Sequence, residues 1–124
     1  MRWIKEKQDV ELLFRADLAL LYKHSPTCGM CRAALYEVEA FMSRHPDADV
    51  YVVDVLTQRG LSQDIAARTG ITHESPQAVL FRAGRALWSD SHYGITADAL
   101  ARQFESARGQ SRVGCRRSQP ATSS

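Results

Sequence analysis

No stretch of the sequence is apolar for long enough to cross a membrane. The N-terminus Met1-Arg2-Trp3-Ile4-Lys5-Glu6-Lys7 also lacks the apolar segment of a signal peptide. Both absences point to a cytoplasmic protein with no membrane partner. Cysteine is scarce: three in 124 residues are too few to staple a secreted disulfide scaffold. Charge of one sign is scarce too. A formal net charge of +2 falls short of the basic surface that nucleic-acid binding requires, and Arg112, Arg116 and Arg117 near the C-terminus supply much of it. Internal repeats are absent. So is a complete zinc-ligand set: Cys115 is the one further cysteine and His24 could supply a third ligand, but no second C-x-x-C or H-x-x-x-H completes the four. No bound metal or cofactor is expected.

What is present is ordinary for a folded protein. Hydrophobic residues at 44% and charged residues at 24% suit one domain large enough to bury a core. From Gly109 onward Gly, Ser, Gln, Arg, Pro and Thr dominate. The expected organisation is a domain over residues 1–108 and a disordered tail over 109–124, which holds Cys115. A monomer is expected.

The chain is organised around Lys23-His24-Ser25-Pro26-Thr27-Cys28-Gly29-Met30-Cys31. The apolar run Leu18–Tyr22 before it has the length of a buried strand, and Arg32–Arg44 after it carries apolar residues at helical spacing. A C-x-x-C pair at a strand-to-helix junction is a redox signature. A helix N-terminus presents free N–H groups and about half a positive charge, which eases ionisation of a thiol placed there. Cys31, Leu35, Val38 and Met42 form one stripe, widened by Ala34 and Phe41. Cys31 therefore faces the core while Cys28 starts the helix from an exposed loop. Two inert core cysteines would suit Cys31 but not Cys28.

The remaining elements follow from local signals. Asp9 is placed as the N-cap of a short helix over about residues 9–15. Trp3 and Ile4 should fold onto the core edge. Val50–Val55 is β-branched and reads as a second central strand, with Asp54 at its end or partly exposed. Leu61, Ile65 and Ala66 mark a helix closed by Gly70. Gln77–Phe81 and Ala86–Trp88, joined by Ala83-Gly84, make an antiparallel hairpin. Thr96 caps a last helix with Leu100, Phe104 and Ala107 inside and an Ile95–Leu100 staple.

A parallel strand–helix–strand unit followed by a hairpin and a closing helix is an α/β arrangement. It predicts a mixed four-stranded sheet flanked by helices on both faces, and with the C-x-x-C after the first central strand it is the thioredoxin-like order. Pro76 fits that order. Such proteins place a cis-proline beside the cysteines at the start of the third core strand, so Ser75–Pro76 is expected to be cis. The backbone of Ser75 would then be free to pair with an extended substrate.

Beyond the fold, the sequence resembles the monothiol bacilliredoxin family, small thioredoxin-like proteins of the bacillithiol system. The resemblance rests on Tyr22-Lys23-His24-Ser25 and Thr27-Cys28, on His73-Glu74-Ser75-Pro76-Gln77-Ala78, and on Trp88 through Leu100. It spans roughly residues 3–108. It implies reduction of mixed disulfides between proteins and a bacillithiol-like low-molecular-weight thiol, with Cys28 as nucleophile and that thiol as co-substrate. S-thiolated client proteins and a flavoprotein disulfide reductase are the implied partners. Thr27, Gly29, Met30, Ser75 and Pro76 are the expected substrate-contacting residues. The usual member has serine where this chain has Cys31, so here a resolving thiol is available. Thioredoxins carry a buried aspartate six residues before the first cysteine, where this chain has Tyr22. His24 and His73, placed on loops near the site, are the candidate acid/base groups in its stead. A general dithiol reductase of protein disulfides, a redox sensor or binding module, and a metal-cluster carrier are the competing readings.

Overall fold

Leu18 to His24 forms the central strand because five consecutive residues within it, Ala19 to Lys23, are buried on both faces. The computed structural model describes residues 1–109, and the tail expected beyond them, Cys115 included, lies outside the described residues. In chain order the elements are β1 (Arg2–Trp3), α1 (Lys7–Arg15), β2 (Leu18–His24), α2 (Gly29–Arg44), β3 (Asp49–Asp54), α3 (Arg59–Thr69), β4 (Gln77–Arg82), β5 (Arg85–Ser91), a 3-10 turn (His92–Gly94) and α4 (Ala97–Arg108). The sheet runs β1-β3-β2-β4-β5. β1, β3 and β2 are mutually parallel, while β4 runs antiparallel to β2 and β5 antiparallel to β4.

The sheet has five strands rather than the expected four. The extra one, β1, is only two residues long, Arg2 opposite Tyr51 and Trp3 opposite Val52, too short for any periodic signal. Asp9 is not an N-cap either. The first helix starts at Lys7, and Asp9 lies inside its first turn, where Oδ2 accepts the backbone N–H groups of Lys5 (2.9 Å) and Glu6 (3.1 Å). The acid still satisfies helix-start donors, but by reaching back from a position inside the helix.

Alternation along β2 divides the core. Leu20 and Tyr22 face a cluster with Val38 and Phe41 of α2 and Leu100 and Phe104 of α4. Ala19 and Leu21 face Val10 and Leu13 of α1, Ile65 of α3, and Phe81 of β4. Helices thus cover both faces, as period-two side-chain alternation in a doubly buried strand requires. The α2 stripe is rotated slightly from the expected one: Cys31, Ala34, Val38 and Phe41 are buried, and Leu35 and Met42 only half-buried. Gly70 closes α3 at φ 73°, and Thr96 Oγ1 caps α4 by accepting the Ala99 N–H at 3.1 Å. None of the described helices is long and apolar enough to cross a membrane.

Phe81 is fully buried and meets Phe14 edge to face, with ring centroids 5.3 Å apart. Phe81→Ala should lower the unfolding free energy by about 3–5 kcal/mol in a denaturant titration, the usual cost of emptying a buried aromatic site.

Candidate active site

The first turn of α2 lies at the carboxyl end of β2 and holds both described cysteines. Cys28 is the N-cap, with extended backbone (φ −105°, ψ 121°), and its carbonyl accepts the N–H groups of Cys31 (3.1 Å) and Arg32 (3.3 Å). Its thiol is partly exposed, whereas Cys31 is fully buried. The Cys31 backbone N–H, aided by the Cys31 thiol and the Met30 backbone N–H, holds the Cys28 thiol below the ordinary thiol range against a small opposing effect of burial. Unsatisfied donors at a helix start stabilise the thiolate form, so position alone separates the two sulfurs.

Two hydroxyls hold Cys31 in place. Tyr22 Oη donates to the Cys31 carbonyl at 2.7 Å, tying β2 to the first turn of α2. Ser75 Oγ lies 3.3 Å from Cys31 Sγ. The Ser75–Pro76 bond is cis, and Pro76 is buried. The backbone N–H and carbonyl of Ser75 make no backbone hydrogen bond among the described residues. Burial, reinforced by the Cys31 and Cys28 thiols, pushes the Tyr22 phenol far above its usual range, so the hydroxyl keeps its proton. Because that proton is committed to the carbonyl, the 3.2 Å contact between Tyr22 Oη and His24 Nδ1 needs the imidazole to carry its proton on Nδ1.

His24 is the last residue of β2 and not part of a loop, because its pairing with Asp54 extends the strand beyond the apolar run. Its ring touches Tyr22 and the edge of Trp3 rather than either sulfur. Burial lowers its pKa, partly offset by Asp54. His73 does lie in a loop, 3.5 Å from Ser62 Oγ, and burial with the nearby Lys23 charge lowers its pKa against the pull of Glu74. Neither imidazole has a contact with Cys28 or Cys31 among the described residues. Thr27 is exposed and pairs with Ser25 Oγ at 3.2 Å, and Gly29 is exposed beside Cys28. Met30 lines a cavity of about 400 Å³ together with Ala33, Tyr93 and Ile95. Among the described residues no three His, Cys, Asp or Glu side chains group as a metal site.

The Ser75 hydroxyl, unlike its backbone, carries no local sequence signal for a role at the site, because its contact with Cys31 exists only once β4 pairs with β2. Lys23 belongs to a polar stretch of the sequence, yet it is a buried strand residue.

Residues 3–100 match the protein family described as monothiol bacilliredoxin BrxC. Among solved structures, one assigned as an oxidoreductase with a thioredoxin fold is 30% identical, with a TM-score of 0.76 over 82% of this chain and 90% of that one. A mutant thioredoxin from Halobacterium salinarum is 22% identical, with a TM-score of 0.69 over 89% of this chain and 92% of that one. The oxidised thioredoxin of Plasmodium falciparum is 14% identical, with a TM-score of 0.68 over 86% of this chain and 96% of that one. The fold is thioredoxin-like, with one more strand than the sequence pattern predicted.

A depressed pKa keeps a thiol ionised to lower pH. The pH profile of Cys28 alkylation by iodoacetamide should therefore lie below that of a free cysteine, which titrates near about 8.5, with peptide mapping showing Cys31 labelled more slowly. Faster labelling of Cys31 would reverse the assignment.

Proposed function

The chain belongs to the monothiol bacilliredoxin family, and from that premise we propose that it is a thiol–disulfide oxidoreductase acting on mixed disulfides between proteins and a bacillithiol-like small thiol. The observation that carries this reading is the unequal cysteine pair: a partly exposed, acidified thiol at the α2 N-cap and a buried thiol one turn inside. Cys28 thiolate attacks the small thiol's sulfur in the mixed disulfide. The client's thiolate leaves and takes up a proton, and Cys28 is left in a disulfide with the small thiol.

Two routes clear that adduct. A second small thiol can attack it, releasing the symmetrical small disulfide and restoring Cys28. Alternatively Cys31 gives up its proton and attacks the Cys28 sulfur, expelling the small thiol and leaving a Cys28–Cys31 disulfide. A dithiol or flavoprotein reductase then supplies two electrons to that disulfide. The hydroxyl of Ser75 beside Cys31 supports the second route, because it can accept a hydrogen bond from the thiol or donate one to the thiolate. The free backbone groups of Ser75 support pairing with an extended client segment, and Thr27, Gly29 and Met30 would flank it. His24 is better suited to orienting Tyr22 than to proton transfer at sulfur.

The two routes predict different variants. Cys28→Ser should abolish all activity. Cys31→Ser should keep most of its activity on a small-thiol adduct given excess small thiol. The same variant should lose most activity on a protein disulfide and accumulate covalent complexes with the client, since an outside thiol reaches a bulky mixed disulfide slowly. Rates of the three proteins on one substrate of each kind test this. Equal loss of both activities in Cys31→Ser would make the dithiol cycle obligatory and favour a general reductase of protein disulfides.

Ser75→Ala gives a second test. It should slow release of the small thiol from the Cys28 adduct without changing the alkylation rate of Cys28, and Ser75→Thr should restore it. Unchanged release kinetics would remove Ser75 from the resolving step.

A further inference from the structure

Two of the stretches that carry the family resemblance, residues 73–78 and 88–100, meet in the structure beside the cysteine pair. The loop before β4 brings Ser75 to the Cys31 sulfur, yet residues 72–75 make no backbone–backbone hydrogen bond among the described residues. Side chains hold the loop instead, one residue after another. The Thr72 carbonyl accepts Gln77 Nε2 at 2.9 Å, His73 Nδ1 lies 3.5 Å from Ser62 Oγ, and Glu74 Oε1 accepts the Ser91 hydroxyl at 3.1 Å. Ser75 Oγ, 3.3 Å from Cys31 Sγ, is the last contact of that series. A segment with no backbone ladder takes its position from such contacts.

The other side of the Glu74 contact is closely fixed. Ser91 ends β5 opposite Gln77, and its N–H donates to Asp90 Oδ1 at 2.8 Å. A Cβ at Gly94 would collide with the Asp90 carboxylate, so the turn over residues 92–94 sits directly on that side chain. His92 has left-handed backbone (φ 55°), and its N–H donates to the Pro76 carbonyl at 3.1 Å. Few non-glycine residues hold that conformation unless contacts around them enforce it. His92 Nδ1 lies 3.0 Å from Ser91 Oγ and 3.4 Å from Glu74 Oε1. Because the Ser91 hydroxyl gives its proton to Glu74, it accepts the Nδ1–H of His92. Glu74 and His92 are about half exposed, and exposed pairs add little to stability. What the contact supplies is placement: Glu74 on one side of Ser75 and Pro76 on the other are tied to the same turn.

We propose that Glu74 and Ser91 are positioning residues for the resolving step: their hydrogen bond, backed by His92, holds the Ser75 hydroxyl against Cys31 while Cys31 attacks the Cys28 adduct. The inference rests on the dithiol route described above. In that step the Cys31 thiol loses its proton to water and its sulfur bonds to the Cys28 sulfur. The group carried by Cys28 leaves as a thiolate with the electron pair of the broken S–S bond. Neither Glu74 nor Ser91 has a contact with a cysteine among the described residues, so both act through Ser75.

The test uses the full chain with Cys115→Ser, which leaves Cys28 and Cys31 as its two thiols, mixed with excess dithiobis(nitrobenzoate). Attack by Cys28 releases one coloured thionitrobenzoate at a rate set by the reagent concentration. Attack by Cys31 on the Cys28 adduct releases a second at a rate independent of it, a phase that Cys31→Ser removes. Glu74→Ala and Ser91→Ala should each slow the second phase about two- to tenfold, the scale of one hydrogen bond, and leave the first unchanged. Glu74→Gln and Ser91→Thr keep the acceptor and the hydroxyl, and should restore the rate. Added to Ser75→Ala, neither alanine change should slow the second phase further, as a general loosening of the fold would. A second phase unchanged in Glu74→Ala and Ser91→Ala, or slowing that multiplies with that of Ser75→Ala, would overturn the positioning role and leave the dithiol route standing. No second phase in the parent chain would overturn the dithiol route and the positioning role with it.

Discussion

The arrangement of the site depends on the 2.7 Å hydrogen bond from the buried Tyr22 hydroxyl to the Cys31 carbonyl. It fixes the first turn of α2 to the end of β2, and with it the placement of both thiols. A buried phenol needs a partner, so the bond also satisfies the strand residue that makes it. The phenol cannot act as a base at ordinary pH, because burial holds its proton in place. Thioredoxins have an acid at this position; here the same place supplies position without proton acceptance. The other hydroxyl in contact with this cysteine is that of Ser75, whose Oγ lies 3.3 Å from Cys31 Sγ.

The two cysteines sit in different surroundings. Cys28 needs no side-chain base, since the open helix start lowers its pKa directly. Cys31 has the opposite surroundings: full burial and a neutral hydroxyl. The two thiols therefore differ in exposure and in hydrogen-bonded surroundings although they lie one helical turn apart.

Most of the fold was legible because its signals are local. The apolar run at Leu18–Tyr22, the β-branched run at Val50–Val55, the Ala83-Gly84 turn and the Thr96 cap each specify an element without reference to the rest. Helical spacing alone also separates a partly exposed Cys28 from a buried Cys31. What it missed was made by pairing between distant segments. β1 is a strand because β3 offers it a free edge, not because Arg2 and Trp3 favour extension. His24 joins β2 because Asp54 pairs with it. Lys23 reads as a solvated charge in a polar stretch, and it is buried because strands on both sides enclose it. Ser75 meets Cys31 across 44 positions of sequence, a contact no local pattern encodes.

The two ends of the sheet show where the chain tolerates unsatisfied groups. At the end away from the cysteines, charges are mostly paired: Arg108 with Asp47 at 2.7 Å and Arg82 with Asp17 at 3.5 Å, leaving Arg82 Nε without a partner among the described residues. At the cysteine end, Lys23, Gln77 Oε1 and the Ser75 backbone are left open, and each lies beside the others through strand register or the loop from His73 to Pro76. An open buried polar group lowers stability, and a random surface would scatter such groups. Their concentration at the carboxyl ends of β2 and β3, where strand pairing stops and ligands of α/β sheets bind, ties the cost to one place.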